Sequence, residues 1–187
     1  FTTRPDTLFG VTFMNLAPEH ELVLKIANRN QIKKIRQYID EVSNKSDLER
    51  ITENQIISGL FTGAYAIHPL TSENIPIWIS DYVLAGYGTG AVMAVPCGDE
   101  RDYSFAKKFG IPIKNIFKNI DISESAFIQK KGFKLKNSKI LDGLNFDQAY
   151  MKIIKHIETL GCGKETVNYK IRDSIFSRQR YWGEPIP

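Results

Sequence analysis

Apolar residues recur along the chain at two different periods, and these periods predict its helices and strands. The near-helical spacing predicts helices over residues 18–42, with a break at 28–30, over 99–109 and over 146–160. Asp99 is suited to cap the first turn of the second of these regions, because its carboxylate can accept from exposed N–H groups. Gly110 and Gly161 are suited to end the second and third.

Short β-rich pieces separated by turn residues fill the middle of the chain. Strands are predicted at residues 11–16, 61–67, 75–79, 82–84 and 91–95. Their lengths and spacing predict an α+β fold, with a small β-barrel or curled sheet as its core and helices around it. Residues 167–171 alternate as a half-exposed strand would. The lysine-rich segment 114–139 is expected to be a hairpin or an exposed insertion.

The most informative stretch is YGTGAVMAVPCGDERD at residues 87–102, which joins a glycine-rich turn, an apolar strand and an acidic helix start. Asp102 precedes Phe105, Ala106 and Phe109 by three, four and seven positions. Helical geometry therefore places its carboxylate on the same face as residues that must pack inward. A carboxylate in that position needs a partner.

Two interpretations of Asp102 stay open at this point. In the first, it only caps the helix or pairs with Arg101 or another nearby cation, which is the commoner role of an acidic residue in a first helical turn. In the second, it is an anionic anchor at the mouth of a pocket and binds a ligand ammonium group.

The composition narrows the class of protein without deciding its function. The 187 residues fit one domain with a sizeable core, 42% of them are hydrophobic, and no run is long enough to span a membrane. The net charge of +4 permits a polyanionic partner without requiring one. Two cysteines without metal-like spacing indicate reduced thiols and a cytoplasmic protein. A lone His68 is more often structural than catalytic.

Four motifs in order closely resemble the editing insertion of bacterial or organellar leucyl-tRNA synthetases. They are TTRPDT at residues 2–7, GTGAVMAVP at 88–96, DERDY at 99–103 and SRQRYWG at 177–183. Valyl relatives carry similar motifs but usually have Glu where Asp6 stands. Cys97 and Gly98 stand where many relatives have a small residue and then histidine, so the participation of a histidine stays open.

The resemblance implies a domain of a larger enzyme. Neither ATP-handling signature of class I synthetases, His-x-Gly-His or Lys-Met-Ser-Lys-Ser, is present, and the chain begins and ends abruptly. The expected division is an editing domain over residues 1–172 and a segment over 173–187 that returns to the aminoacylation core. The chain is not expected to activate leucine.

The implied reaction is post-transfer editing, the hydrolysis of norvaline, isoleucine or similar amino acids esterified to leucine tRNA. By the resemblance, Asp102 holds the substrate α-ammonium group, Thr7 blocks leucine, and Thr2 and Thr3 supply hydroxyls near the scissile carbonyl and terminal ribose. The supporting and contact residues implied in the same way are Arg4, Asp6, Tyr87, Met93, Asp99 and Arg101.

The implied partners are the 3′ acceptor end of leucine tRNA and the remainder of the synthetase chain, with no membrane and a monomeric state. The editing reaction needs only water, whereas ATP and Mg²⁺ serve the synthetic site of the parent enzyme. The expected location is the bacterial cytoplasm, or an organellar matrix in a eukaryote. Two rival hypotheses are a module that binds the acceptor end without hydrolysis and a stand-alone editing protein.

Overall fold

A computed structural model describes residues 1–46, 49–50, 57–86 and 88–167 of the chain. The strands are β1 (Phe13–Leu16), β2 (Gly59–Ile67), β3 (Asn74–Ser80) and β4 (Ala91–Ala94). The α-helices are α1 (Leu22–Ile26), α2 (Ile32–Ser43), α3 (Glu100–Phe109) and α4 (Phe146–Thr159). Two short 3-10 helices cover Pro5–Gly10 and Lys139–Leu141. Residues 168–171 of the strand predicted at 167–171, and the motif at 177–183, lie outside the described residues.

The four strands form one mixed sheet in the order β2-β3-β1-β4. β1 lies at its centre, parallel to β3 and antiparallel to β4, so that Asn15 is opposite Trp78 on one side and Val92 on the other. β2 pairs antiparallel with β3 and carries an irregularity between Phe61 and Tyr65. The helices lie outside this sheet, which confirms the α+β class.

The predicted barrel is wrong for the residues that the structure describes, because the sheet is open. β2 and β4 are its two edges and do not pair with each other. One of the strands predicted for the barrel is also absent, since residues 82–84 form a turn. The turn follows β3 directly, with the Val83 N–H donating to the Ser80 carbonyl at 3.4 Å. An apolar triplet is too short to distinguish these two conformations.

The helical regions follow the apolar spacing closely. α1 and α2 are separated at the predicted break, where the Asn28 N–H donates to the Thr62 carbonyl of β2 at 2.9 Å. Asp99 caps α3, and Gly110 ends it with φ of 67°. α4 begins with a capping box, in which Asn145 accepts from the Gln148 N–H and the Gln148 side chain accepts from the Asn145 N–H.

The segment 114–139 is part of the core, so the expectation of an exposed insertion is wrong. An antiparallel bridge joins Phe117 and Leu135, and both side chains are buried. The ring of Phe117 packs edge-on against those of Phe127 and Phe133, at centroid distances of 5.1 and 4.9 Å. The scattered lysines obscure this burial in the sequence, and apart from this one bridge the segment has no regular period that would reveal its inward-facing residues.

Buried side chains form three clusters around the sheet. The largest joins the segment 114–139 and α4 to one part of the sheet. A second places Phe13 of β1 against Phe105 of α3, with ring centroids 5.1 Å apart. The third packs α1 and α2 on β1 and β3 through Val23 and Ile35. In the part of the chain that the structure describes, no helix is long and apolar enough to cross a membrane.

Candidate functional site

A cavity of about 390 Å³ brings together four separate parts of the chain. Its walls come from the segment before the first 3-10 helix, the turn after β3, the end of β4 and the start of α3. The predicted site residues that line it are Thr2, Thr3, Arg4, Thr7, Met93, Asp99, Arg101 and Asp102. Asp6 does not line it, and Tyr87 lies outside the described residues.

Asp102 lines the cavity from the first turn of α3 and is held there from two directions. The Tyr82 hydroxyl donates to Oδ1 and the Val95 N–H donates to Oδ2, each at 2.8 Å. The cap of the helix is Asp99, whose Oδ1 accepts from the N–H groups of Arg101 and Asp102. The interpretation of Asp102 as a simple cap is therefore wrong.

Asp102 is only 8% exposed, and the surroundings of its carboxyl group change its acidity. Burial raises the pKa of Asp102 to about 7, and the negative charge of Asp99 adds to the rise. The hydrogen bonds from Val95 and Tyr82, and then the positive charge of Arg101, act in the opposite direction. The group therefore changes charge close to neutral pH, which an ordinary surface aspartate does not do.

The segment that carries the three threonines is fixed by hydrogen bonds around Arg4. The Arg4 N–H donates to Oγ1 of Thr2 at 3.0 Å. Both the N–H and the hydroxyl of Thr7 donate to the Arg4 carbonyl, at 3.1 and 2.8 Å. Because the Thr7 hydroxyl is tied to the backbone and its side chain is branched at Cβ, its rotamer is held in one state.

Asp6 is fully buried and binds Arg4 through two parallel hydrogen bonds. Nε of Arg4 donates to Oδ1 at 2.9 Å and Nη2 donates to Oδ2 at 2.8 Å. The guanidinium group also lies over the Phe146 ring of α4, 5.3 Å from its centroid. Asp6 thus holds Arg4 at the cavity wall, because a bidentate pair fixes both the position and the plane of the guanidinium group.

Sequence reasoning missed Tyr82 as a site residue, although it lines the cavity and contacts Asp102. Its place in the apolar triplet 82–84 carries no local signal of this contact. His68 lies outside the cavity wall, with Nδ1 accepting from the N–H groups of Leu70 and Thr71 and Nε2 donating to the Leu8 carbonyl. It connects loops, which is the structural role.

The two cysteines also remain outside the site. Cys97 is buried, and burial raises the pKa of its thiol to about 11, so it stays neutral; Cys162 is exposed. Among the residues described, no group of three or more His, Cys, Asp or Glu side chains is arranged to hold a metal ion.

Fold and cavity together define a class: an α+β domain with one buried carboxylate at the wall of a pocket sized for a small ligand. A family model described as "Leucyl-tRNA synthetase, editing domain" matches residues 1–158. The chain belongs to this family of leucyl-tRNA synthetase editing domains.

Individual relatives agree with the family match. The chain is 59% identical to a leucine–tRNA ligase of Flavobacterium psychrophilum and 55% identical to one of Christiangramia forsetii. Both matches cover 100% of this chain, but only 20% and 19% of the relatives. The chain thus spans about a fifth of the length of the curated relatives that it matches.

A solved structure gives the same result for the fold. It is the ternary complex of Agrobacterium radiobacter K84 agnB2 LeuRS with tRNA and LeuAMS, and it matches with a TM-score of 0.66 and 31% identity. The match covers 89% of this chain and 17% of that one.

Proposed function

We propose that this chain hydrolyses the ester bond between a non-cognate amino acid and the 3′ terminal adenosine of leucine tRNA. The observation that carries the proposal is the position of Asp102, a nearly buried carboxylate at the wall of a cavity that Thr2, Thr3 and Thr7 also line. An aminoacyl ester carries an α-ammonium group beside its carbonyl, and this pairing of a carboxylate with hydroxyls matches both groups.

Asp102 is suited to bind the ammonium group because it retains acceptor capacity. An ionised carboxylate offers about four lone-pair directions, and Tyr82 and Val95 occupy one on each oxygen. Among the described residues Asp102 forms no ion pair, so an ammonium group would supply one, and its attraction would be strong where little water screens it. Binding would also favour the charged form of a group that titrates near neutral pH.

Thr7 is suited to act as the sieve that excludes leucine. A binding pocket separates aliphatic side chains that differ by one methylene by only about 1 to 3 kcal/mol, so accurate translation needs a second, hydrolytic selection. This hydrolytic selection can exclude leucine only if the part of the pocket wall that Thr7 forms is rigid. Thr7 is 2% exposed and its hydroxyl donates to the Arg4 carbonyl, which supports this role.

The chemical step is an attack by water on the ester carbonyl. The oxygen of water bonds to the carbonyl carbon as the water gives up a proton, the bond to the ribose oxygen breaks, and that oxygen takes up a proton, so that the free amino acid and the ribose hydroxyl are the products. Thr2 and Thr3 provide hydroxyls to orient the carbonyl or the terminal ribose, and the bond that Thr2 accepts from Arg4 leaves its own O–H available.

The remaining predicted residues support the substrate around this centre. Met93 contributes apolar wall, Arg101 on α3 and the cap residue Asp99 lie close to Asp102 in sequence, and Asp6 holds Arg4. Tyr87 is proposed as a contact to the amino acid or adenosine from the resemblance alone.

In this proposal the domain spans residues 1–172, and residues 173–187 lead to the rest of a leucine–tRNA ligase. It acts as part of a monomeric cytoplasmic enzyme, on norvaline, isoleucine or similar amino acids mischarged on leucine tRNA. The editing step uses water alone, and ATP and Mg²⁺ belong to the synthetic site of the parent ligase.

The proposal is tested by incubating the 187-residue chain with leucine tRNA charged either with isoleucine or with leucine. Ester loss is followed against buffer alone. We expect selective loss of the isoleucyl ester. Asp102→Ala should lower that rate by about 100-fold or more, because a lost charge partner costs several kcal/mol at a buried site. The exposed Asp147→Asn, on α4, is the matched control and should leave the rate unchanged.

Three results would contradict the proposal. If neither ester is lost while the tRNA still binds, the chain is a binding module for the acceptor end. If both esters are lost at equal rates, or if Asp102→Ala hydrolyses at the normal rate, the sieve or the anchor is assigned wrongly.

A further inference from the structure

A chain of hydrogen bonds connects the centre of the sheet to the carboxylate in the cavity. Nδ2 of Asn15 donates to the Tyr82 hydroxyl at 2.8 Å, and this hydroxyl donates to Oδ1 of Asp102 at 2.8 Å. Asn15 lies in the middle of β1, paired on both sides, and is 0% exposed. It does not line the cavity, so its side chain reaches Asp102 only through Tyr82.

The donors available decide which group donates in each of these two hydrogen bonds. A phenol carries one proton, and a carboxylate carries none, so Tyr82 must donate to a charged Asp102. Asn15 must then present its amide nitrogen to the phenol oxygen, because its carbonyl oxygen has no proton to give. The amide of Asn15 in this orientation favours donation from Tyr82 to Asp102, since a phenol that accepts one hydrogen bond becomes a stronger donor of another.

We propose that Tyr82 and Asn15 are positioning residues that hold Asp102 in its charged, ammonium-binding form. This inference rests on the function proposed above and adds two residues to its machinery. Neither touches the reacting atoms, and both act through the carboxylate.

The charged groups around Asp102 make such support necessary. Burial and the neighbouring Asp99 oppose its charge, whereas Arg101, the Val95 N–H and the Tyr82 hydroxyl favour it. Arg4 also lines the cavity, and the buried Cys97 thiol is neutral. Burial, and then the charge of Asp102, raise the pKa of Tyr82 well above its usual value, so the phenol keeps its proton wherever Asp102 titrates.

Burying the Asn15 amide at the centre of the sheet is energetically unfavourable, which indicates that it has a role beyond packing. Within the described residues its Oδ1 is buried without a hydrogen-bond partner, as is the hydroxyl of Ser80. A buried acceptor left unsatisfied is unfavourable, and an apolar residue of similar size would avoid that penalty at the centre of a sheet. Nδ2 of the same amide donates to the Tyr82 hydroxyl, and this hydrogen bond accounts for an asparagine at this position.

The first test is a titration of the Asp102 carboxyl carbon by ¹³C NMR on the 187-residue chain, with Asp102→Asn used to assign the signal. Loss of a hydrogen bond to a charged group should raise the midpoint in Tyr82→Phe by about one pH unit. Asn15→Leu should raise it less. Tyr103→Phe is the matched control, because this neighbouring phenol donates to the Ser123 carbonyl and does not line the cavity.

The second test is the pH dependence of kcat/KM for the isoleucyl ester. In Tyr82→Phe the midpoint of the rising limb should move to higher pH by about one unit, as in the NMR titration. On the acid side kcat/KM should be about tenfold lower, and it should return toward the normal rate as pH increases. The falling limb, where the substrate loses its ammonium proton, should stay in place. A tRNA ester of an α-hydroxy acid has no ammonium group, so Tyr82→Phe should change its hydrolysis less than twofold.

The outcomes separate this inference from the proposed function. If the NMR midpoint of Asp102 is the same in Tyr82→Phe as in the unmodified chain, the inference is overturned, whatever the activity. If the midpoint shifts but no ester is hydrolysed by the unmodified chain, the proposed function fails and only the electrostatic link remains. If Tyr82→Phe loses the same fraction of activity at every pH, with the isoleucyl ester and with the α-hydroxy acid ester, Tyr82 has only a structural role.

Discussion

A single carboxylate shows how the surroundings of a residue, and not its type, decide what it can do. Asp102 is flanked in sequence by other charged residues, but it alone turns inward, and burial raises its pKa to about 7. Its periodicity with Phe105 and Ala106 was enough to predict the inward face, and both of these are fully buried. The partners of the carboxylate, Tyr82 and Val95, come from elsewhere in the fold.

Thr7 allows the methyl and hydroxyl of one side chain to be tested separately. Thr7→Ser keeps the hydroxyl that donates to Arg4 and removes the methyl, whereas Thr7→Val keeps the shape and removes the hydroxyl. We expect Thr7→Ser and Thr7→Ala to hydrolyse leucyl-tRNA about tenfold faster than the unmodified chain, because the wall loses a methyl group. Thr7→Val should still leave leucyl-tRNA intact, as measured by ester loss. Faster hydrolysis in Thr7→Val alone would show that the hydroxyl, not the bulk, excludes leucine.

At the scale of the element, α3 serves the site through its first turn. Asp99 caps this turn and so sets where the helix begins and which way Asp102 faces. Its charge also raises the pKa of Asp102. The same residue therefore stabilises the helix and opposes the charge of the proposed anchor.

Asp99→Asn should separate these two effects. Asparagine caps a helix about as well as aspartate, so the free energy of unfolding should change by less than about 0.5 kcal/mol. Removal of the negative charge should lower the pKa of Asp102, and the rising limb of the pH profile should move to lower pH, opposite to Tyr82→Phe. Asp99→Ala is the comparison that also loses the cap, at about 1 kcal/mol in chemical denaturation. An upward or absent shift in Asp99→Asn would contradict the electrostatic account.

The long helices and four of the short strands were predicted well, whereas the triplet 82–84 and the segment 114–139 were not. α4 was expected over residues 146–160 and covers Phe146–Thr159, because fourteen residues repeat the pattern several times. The triplet 82–84 contains too few positions to show a period, and it forms a turn that directs Tyr82 toward Asp102. The segment 114–139 pairs through one bridge only, so most of its burial comes from contacts that no local pattern records.

At the scale of the whole molecule, the cavity depends on how α3 packs against the sheet. Gly59, at the start of β2, lets the Phe105 ring approach the backbone closely. A methyl group at this position would lie 2.5 Å from Cε2 of Phe105 and 2.7 Å from the Ile79 carbonyl oxygen. The absence of a side chain therefore allows the contact that seats the helix.

Gly59→Ala should destabilise the fold by about 1 to 3 kcal/mol, because the ring and the strand must move apart. Gly86→Ala is the matched control, since a methyl group there meets no atom within 4 Å and its backbone does not need a positive φ. Chemical denaturation of both variants measures the difference. Equal stability of the two would mean that α3 is free to shift without cost.

The sequence by itself determined the class of the fold, the long helices, the inward face of Asp102 and the motifs that led to the family. These depend on the order and spacing of residues, which neighbouring positions on one element preserve. Only the tertiary structure decided that the sheet is open, that Asp6 serves Arg4, and that Asn15 and Tyr82 reach Asp102. Asn15 and Tyr82 are 67 positions apart, and a contact at such separation is set by the packing of the whole chain, which no local period encodes.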